Sequence, residues 1–212
     1  MSFGSDDKLM KLKSPQVAWT HPSLPSILNV IPYDIESLLD LGCGRGIVGA
    51  LCRIYRNPNR LVGMDIFEPY LDFCNKYMLY DKLMKYNLNC LPLPFDNKEF
   101  DVVTAIEIIE HLPKGKGEFL LSEMERICRK RIIVSTPNSF FKHAIFDGNV
   151  FQLHCSTWNW KDFLNRGYTI YGVGEFLVFG KRIKYISPSL TSLSWKFPMH
   201  SVLILAVKDL NK

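Results

Sequence analysis

The chain has 212 residues, 47% of them hydrophobic and 22% charged, with a net charge of +5 and a pI near 8.8. This is ordinary globular composition, sufficient for a single α/β domain over residues 1–212 and short for two. It excludes low-complexity and internally repeated architectures, and apolar runs such as VLILAV at 202–207 fall far below the roughly 18 residues of a membrane span.

Residues 1–30 open on MSFGSDDKLMKLK, which lacks the apolar centre of a signal peptide, and are read as an N-terminal cap. SLLDLG (37–42) reads as a buried strand, IVGALCRIY (47–55) as a helix, RLVGMDI (60–66) as a strand and PYLDFCNKYML (69–79) as a helix with Pro69 in its first turn. A weak strand is expected near LMKYNL (83–88), and the β-branched FDVVTAIEII (100–109) is the clearest central strand. GEFLLSEMERICRK (117–130) has helical periodicity ending in positive charge, and RIIVSTPN (131–138) is a strand stopped by Pro137. Strands separated by helix-length segments imply right-handed crossovers and a doubly wound, mostly parallel sheet. Such sheets bind ligands at their carboxyl ends, after Leu41, Met64, Leu88, Ala105 and Ser135.

Residues 138–200 are read as substrate-side segments. FFKHAIFDGNVFQLHC (140–155) is aromatic and irregular, and STWNWKDFLNRG (156–167) reads as a capped helix closed by Gly167. YTIYGVG (168–174) and SVLILAVK (201–208) are candidate closing strands, with PSLTSLSWKFPM (188–199) a loop between them. The clusters RICRKR (126–131) and KRIK (181–184) are read as solvated element ends, an anionic partner being the alternative. Six cysteines without a CxxC pair indicate neither a zinc knuckle nor a disulfide framework, which places the expected location in the cytoplasm.

Gly42, Gly44 and Gly46, directly after a strand, let the main chain approach a ligand without Cβ interference, and the helix starting near Ile47 aims its positive end at that ligand. The dinucleotide fingerprint has its third glycine or alanine where Ile47 stands, so a nicotinamide-dependent oxidoreductase is disfavoured. Asp65 ends the second strand, where a carboxylate accepts from both hydroxyls of a ribose.

LDLGCGRG (39–46), GMD (63–65), LPFDNKEFDVV (93–103) and EHL (110–112) together resemble the class I S-adenosylmethionine-dependent methyltransferases, from Ser37 through Asn138 and more weakly to Lys208. The resemblance implies the Rossmann-like methyltransferase fold, a seven-stranded sheet in the order 3-2-1-4-5-7-6, with S-adenosyl-L-methionine across the ends of strands 1 to 4. It implies that Asp40 and the turn of Gly42, Cys43, Gly44 and Gly46 hold the methionine moiety, Asp65 the ribose, and Ile66 the adenine face, with Glu107 also on the cofactor. Asn89 stands where the family often has an acidic residue accepting from the adenine amino group; its amide oxygen can still accept, and Cys90 offers its N–H to the ring.

Methyl transfer from a sulfonium chiefly needs alignment, and a general base only where the acceptor must lose a proton. Glu107, Glu110 and His111, at i, i+3 and i+4, are expected on one side of a helical turn facing the cleft, with His154 reaching it from the later segment. Glu110, His111 and His154 are the catalytic candidates; the family places His111 beside the transferable methyl. No resident metal is expected, but Glu107, Glu110, His111 and His154 form the alternative divalent-cation set, a pattern similar to the small-RNA 3′-terminal 2′-O-methyltransferases. Asn149, Gln152, His154 and Trp158 fit a recurring N-x-x-Q-x-H-x-S-x-W segment in a subgroup of unassigned substrate and are the substrate-side candidates, His154 also being a catalytic one. His21, His143 and His200 are read as structural or exposed, and Phe140, Phe141, Phe146, Phe151, Trp158 and Trp160 as lid and core. The leading expectation is an enzyme that methylates a small molecule. Nucleic acid, through a metal-dependent RNA 3′-end 2′-O-methyltransferase, is the alternative partner, and a cofactor-binding protein without catalysis is unsupported.

Overall fold

The computed structural model describes residues 24–138, 145, 147–178, 181–183 and 194–210. Most of the expected N-terminal cap, His21, His143, Phe140, Phe141, Phe146 and the first part of the 188–199 loop lie outside these residues.

The sheet is built from β1 (Ser37–Leu41), β2 (Arg60–Asp65), β3 (Lys82–Lys85), β4 (Phe100–Ile106), β5 (Cys128–Pro137), β6 (Thr169–Val178), β7 (Lys181–Ile183) and β8 (Ser201–Asp209). Its order is β3-β2-β1-β4-β5-β8-β6-β7, the expected seven-strand order with one three-residue strand added at the edge, where β7 forms a hairpin with β6. Pairing is parallel from β3 through β5, and β8 runs antiparallel to both β5 and β6. The helices are α1 (Leu24–Val30), α2 (Ile47–Tyr55), α3 (Glu68–Lys76), α4 (Lys114–Ile127) and α5 (Trp160–Leu164).

Side chains alternate across the central strands, so the buried sheet needs apolar residues on both faces. Leu39, Val103, Ile132 and Val134 face a core completed by Leu120, Met124 and Ile127 of α4 with Trp158, Phe163 and Tyr168. Leu38, Val102 and Ile133 face the other core, closed by Ile27 of α1, Val48 and Cys52 of α2 and Cys74 of α3. All six cysteines are free.

Two boundaries differ from the sequence reading. The helix expected over 117–130 ends at Ile127, because Cys128 already pairs with Phe100 in the sheet; helical periodicity does not reveal where strand pairing takes over. The weak strand ends at Lys85, after which Tyr86 to Asn89 form a loop that lines a cleft. The RICRKR cluster is consumed internally: Arg126 bonds Glu123 and the Phe95 carbonyl, Arg129 bonds Asp101 and Arg131 bonds Asp209. The helix at 160–164 carries a capping box, Asn159 bonding backbone N–H groups while the Asp162 side chain accepts from the Asn159 N–H, and Gly167 follows in a left-handed conformation (φ +81°). Among the described residues no helix is long and apolar enough to cross a membrane.

Candidate active site

The turn after β1 is left-handed at Gly42, Gly44 and Gly46, with φ of 68°, 53° and 77°, a conformation that costs a side-chain-bearing residue about 1–2 kcal/mol. At Gly42 space is also closed: a Cβ would stand 1.9 Å from Ile108 Cδ1, whereas one at Gly44 meets nothing within 4 Å. The open side at Gly44 is the floor of a cleft of about 480 Å³.

Asp65, at the end of β2, lies on the cleft wall with Ile66 and Asn89. It ties the turn in place, one oxygen accepting from the Gly44 N–H at 2.9 Å and the other from the Phe67 N–H at 2.8 Å. Burial raises its pKa against the pull of these two bonds. Each oxygen retains a second lone pair to offer a ligand. The Asn89 amide nitrogen donates to Asn87 Oδ1 at 3.2 Å, so its carbonyl oxygen is the atom it has left for accepting.

Asp40 is placed differently from the sequence reading. It is 1% exposed and absent from the wall: it lies under the turn, accepting from the Tyr80 hydroxyl at 2.7 Å and the Thr104 hydroxyl at 2.7 Å. Burial outweighs these bonds and pushes its pKa up to about 6. Tyr80 also accepts from the Gly49 N–H at 3.2 Å, so one buried hydroxyl joins the strand to the start of α2. Cys43, Gly46 and Cys90 likewise do not line the cleft.

The opposite wall starts where β4 ends. Glu107 is a non-glycine residue with φ of +53°, held by Ser135 Oγ donating to its Oε1 at 2.7 Å. The chain then forms a 3₁₀ turn, Ile109–His111. Glu107, Glu110 and His111 are therefore not on one side of a helical turn, because the left-handed residue breaks the helical spacing. Glu107 and His111 line the cleft, while Glu110 is buried behind it and accepts from the Thr136 hydroxyl at 2.9 Å. Both carboxyl pKa values are raised, chiefly by burial, and that of Glu110 further by the nearby charge of Glu107.

The segment after Gly148 is pinned to this turn. The Cys155 and Ser156 N–H groups both donate to the Glu110 carbonyl, at 2.8 and 3.0 Å, and His111 Nδ1 lies 3.2 Å from the Leu153 carbonyl. A carbonyl can only accept, so Nδ1 is the donor, and in the neutral form of the ring the lone pair is on Nε2. The His111 and His154 rings meet edge to face at 5.0 Å. Ligand atoms of Glu110, His111 and His154 lie within 4.8 Å of one another; Glu107 stands outside that group.

Of the remaining substrate-side candidates, Asn149 and Gln152 line the cleft. Asn149 Oδ1 caps the following 3₁₀ turn by accepting from the Phe151 N–H at 3.0 Å, and Gln152 donates to the Tyr70 hydroxyl at 2.9 Å. Trp158 does not join them. It is 1% exposed and packs so closely on α4 that a Cβ on Gly117 would stand 2.5 Å from its ring. The sequence reading missed Tyr70, Tyr86 and Asn87, which also line the cleft, and a latch in which Arg45 pairs with Asp147 and Tyr70 donates to Asp147 at 3.1 Å. The signal for the latch is present in the sequence: Arg45 sits between two turn glycines, and Asp147-Gly148 is a turn dipeptide.

This arrangement has counterparts. Residues 39–134 match the methyltransferase domain family. The sheet order and the match together give the chain the fold of the S-adenosylmethionine-dependent methyltransferases. The chain is 27% identical over 119 residues to a ubiquinone biosynthesis O-methyltransferase of Pelagibacter ubique, covering 54% of this chain and 48% of that protein, so it spans about half the length of this curated relative. An uncharacterized protein of Methanocaldococcus jannaschii is 27% identical over 175 residues, covering 74% and 71% of the two chains. In fold it is similar to a SAM-dependent methyltransferase from Archaeoglobus fulgidus, with a TM-score of 0.63, 19% identity, and coverage of 88% and 92%. A magnesium protoporphyrin IX methyltransferase from Synechocystis, similar in fold at 15% identity with a TM-score of 0.50 and coverage of 88% and 78%, holds bound SAM; the cleft here offers an open glycine floor at Gly44 and a carboxylate at Asp65 beside an apolar Ile66.

Proposed function

We propose that the protein transfers the methyl group of S-adenosylmethionine to a hydroxyl oxygen of a small molecule, with His111 as general base. The observation that carries this reading is that the cofactor-side residues Gly44, Asp65 and Asn89 and the imidazole of His111 line one cleft. When bound, the cofactor supplies an electrophilic methyl on a sulfonium leaving group. The glycine turn, Asp65 and Ile66 hold and orient it; the rate then derives mainly from alignment. The Leu153 carbonyl fixes the His111 tautomer, so that Nε2 receives the acceptor's proton as the oxygen–carbon bond forms. The P. ubique relative is named for O-methylation, which supports oxygen as the atom methylated.

Radiolabelled methyl transfer to a panel of phenols, alcohols and short RNAs tests the reading. His111→Ala is expected to lose at least about a hundredfold in turnover while still binding cofactor; unchanged turnover removes His111 from the mechanism. A second reading follows from the compact Glu110, His111 and His154 group, a donor set able to hold a divalent cation that would bind and polarise the acceptor oxygen. Turnover that disappears with chelator and returns with added cation supports it, and chelator-insensitive turnover discards it.

A further inference from the structure

Resting on the methyl-transfer reading above, the chemistry of the cleft mouth narrows the acceptor. The stretch from Asn149 to Leu153 inverts the usual pattern of a surface segment, in which polar side chains face water. Its polar members turn inward: Asn149 is buried and bonded to its own turn, and Gln152 bonds Tyr70. Its apolar members face outward, Val150 being 59% exposed, Phe151 48% and Leu153 46%, and all three line the cleft. Single exposed apolar residues are unremarkable, but a clustered apolar lip on a cleft marks a binding surface. The exposure is built in, since the segment is fixed by the bonds of Cys155 and Ser156 to the Glu110 carbonyl.

Charge points the same way. Among the described residues that line the cleft there is no lysine or arginine, and the acidic ones are Asp65 and Glu107. The cations that flank lining residues in the chain are each paired: Arg45 with Asp147, Lys85 with Glu68 and Lys114 with Asp162. Among the described lining residues, a phosphate or carboxylate on the acceptor would find no lysine or arginine to pair with.

We infer that the methyl acceptor is an uncharged molecule with an apolar body, its hydroxyl directed to His111 and its body lying on the lip of Val150, Phe151 and Leu153. Binding of para-hexylphenol, of the equivalent phenol whose chain ends in a carboxylate, and of a short single-stranded RNA is measured by calorimetry on protein saturated with S-adenosylhomocysteine. The neutral phenol is expected to bind at least about tenfold more tightly than either anion. Val150→Ser with Phe151→Ser should weaken binding of the neutral phenol about tenfold by removing apolar contact, and Val150→Lys should improve binding of the carboxylate probe. Melting temperature and cofactor affinity of each variant report whether it folds. Equal or tighter binding of the carboxylate phenol or the RNA by the wild type overturns the inference. Failure of cofactor product to bind at all would instead sink the methyl-transfer reading beneath it.

Discussion

Replacing Tyr80 with phenylalanine tests the load under the glycine turn. The hydroxyl donates to a carboxylate that is 1% exposed, and its loss also strips the Gly49 N–H of its side-chain acceptor. Asp40 has its pKa raised from 3.8 to about 6 in the folded protein, a difference worth about 3 kcal/mol. The sign follows from linkage: a folded pKa above the unfolded one means that the protonated carboxyl favours the fold. This contribution is complete below about pH 4 and is lost as pH rises through about 6. The Tyr80 bond lowers the pKa, so removing it should raise the folded value further and make the variant's deficit grow with pH. With Asp40 largely protonated at pH 5 the missing bond is between neutral groups and costs about 1 kcal/mol; at pH 8 it is a bond to a buried anion and costs about 2–3 kcal/mol. Urea denaturation of wild type and Tyr80→Phe at the two pH values measures the difference directly. A deficit that is the same at pH 5 and pH 8, or smaller at pH 8, refutes the assignment of a buried titrating carboxylate at this position.

Gly42→Ala combines a left-handed backbone with a Cβ placed 1.9 Å from Ile108 Cδ1, so stability should fall by about 1–3 kcal/mol and cofactor affinity by at least about tenfold, read by thermal melting and calorimetry. Trp158→Ala should cost about 3–5 kcal/mol as a core truncation, while Trp158→Phe, if folded, should leave the acceptor KM where it was; a shifted KM restores the tryptophan to the substrate side. Asp147→Asn removes the charge that pairs with Arg45 and should speed proteolytic cutting in the 147–155 region by a few-fold, with no change expected if the latch is unimportant to local opening.

What could be read from the sequence follows the range of the forces involved. The apolar strands and the glycine turn are local patterns, and the doubly wound parallel sheet and the position of Asp65 on the cleft follow from them, whereas the strand order is what the family resemblance implies. Spacing alone placed Glu107, Glu110 and His111 on one face, and it failed because a single positive φ at Glu107 depends on the Ser135 contact from the next strand. Trp158 satisfied a motif yet serves the core, because its environment is set by Gly117 on a distant helix. Asp40 belongs to the cofactor motif but reaches the cleft only through the turn above it, a distinction that rests on Tyr80 and Thr104, neither adjacent to it in the chain. The extra strand β7 pairs only within a local hairpin and is too short to carry a periodic signal.

The central claim is that the cleft between the glycine turn and His111 binds the methyl donor. Calorimetric titration with S-adenosylmethionine, run on wild type and on Asp65→Ala, tests it most directly. Wild type should bind the cofactor at a single site, and the variant, deprived of the carboxylate that both ties Gly44 and lines the cleft, should lose at least about tenfold in affinity. Wild-type protein that is folded and yet fails to bind S-adenosylmethionine, or an Asp65→Ala variant that binds it as tightly as wild type, contradicts the account.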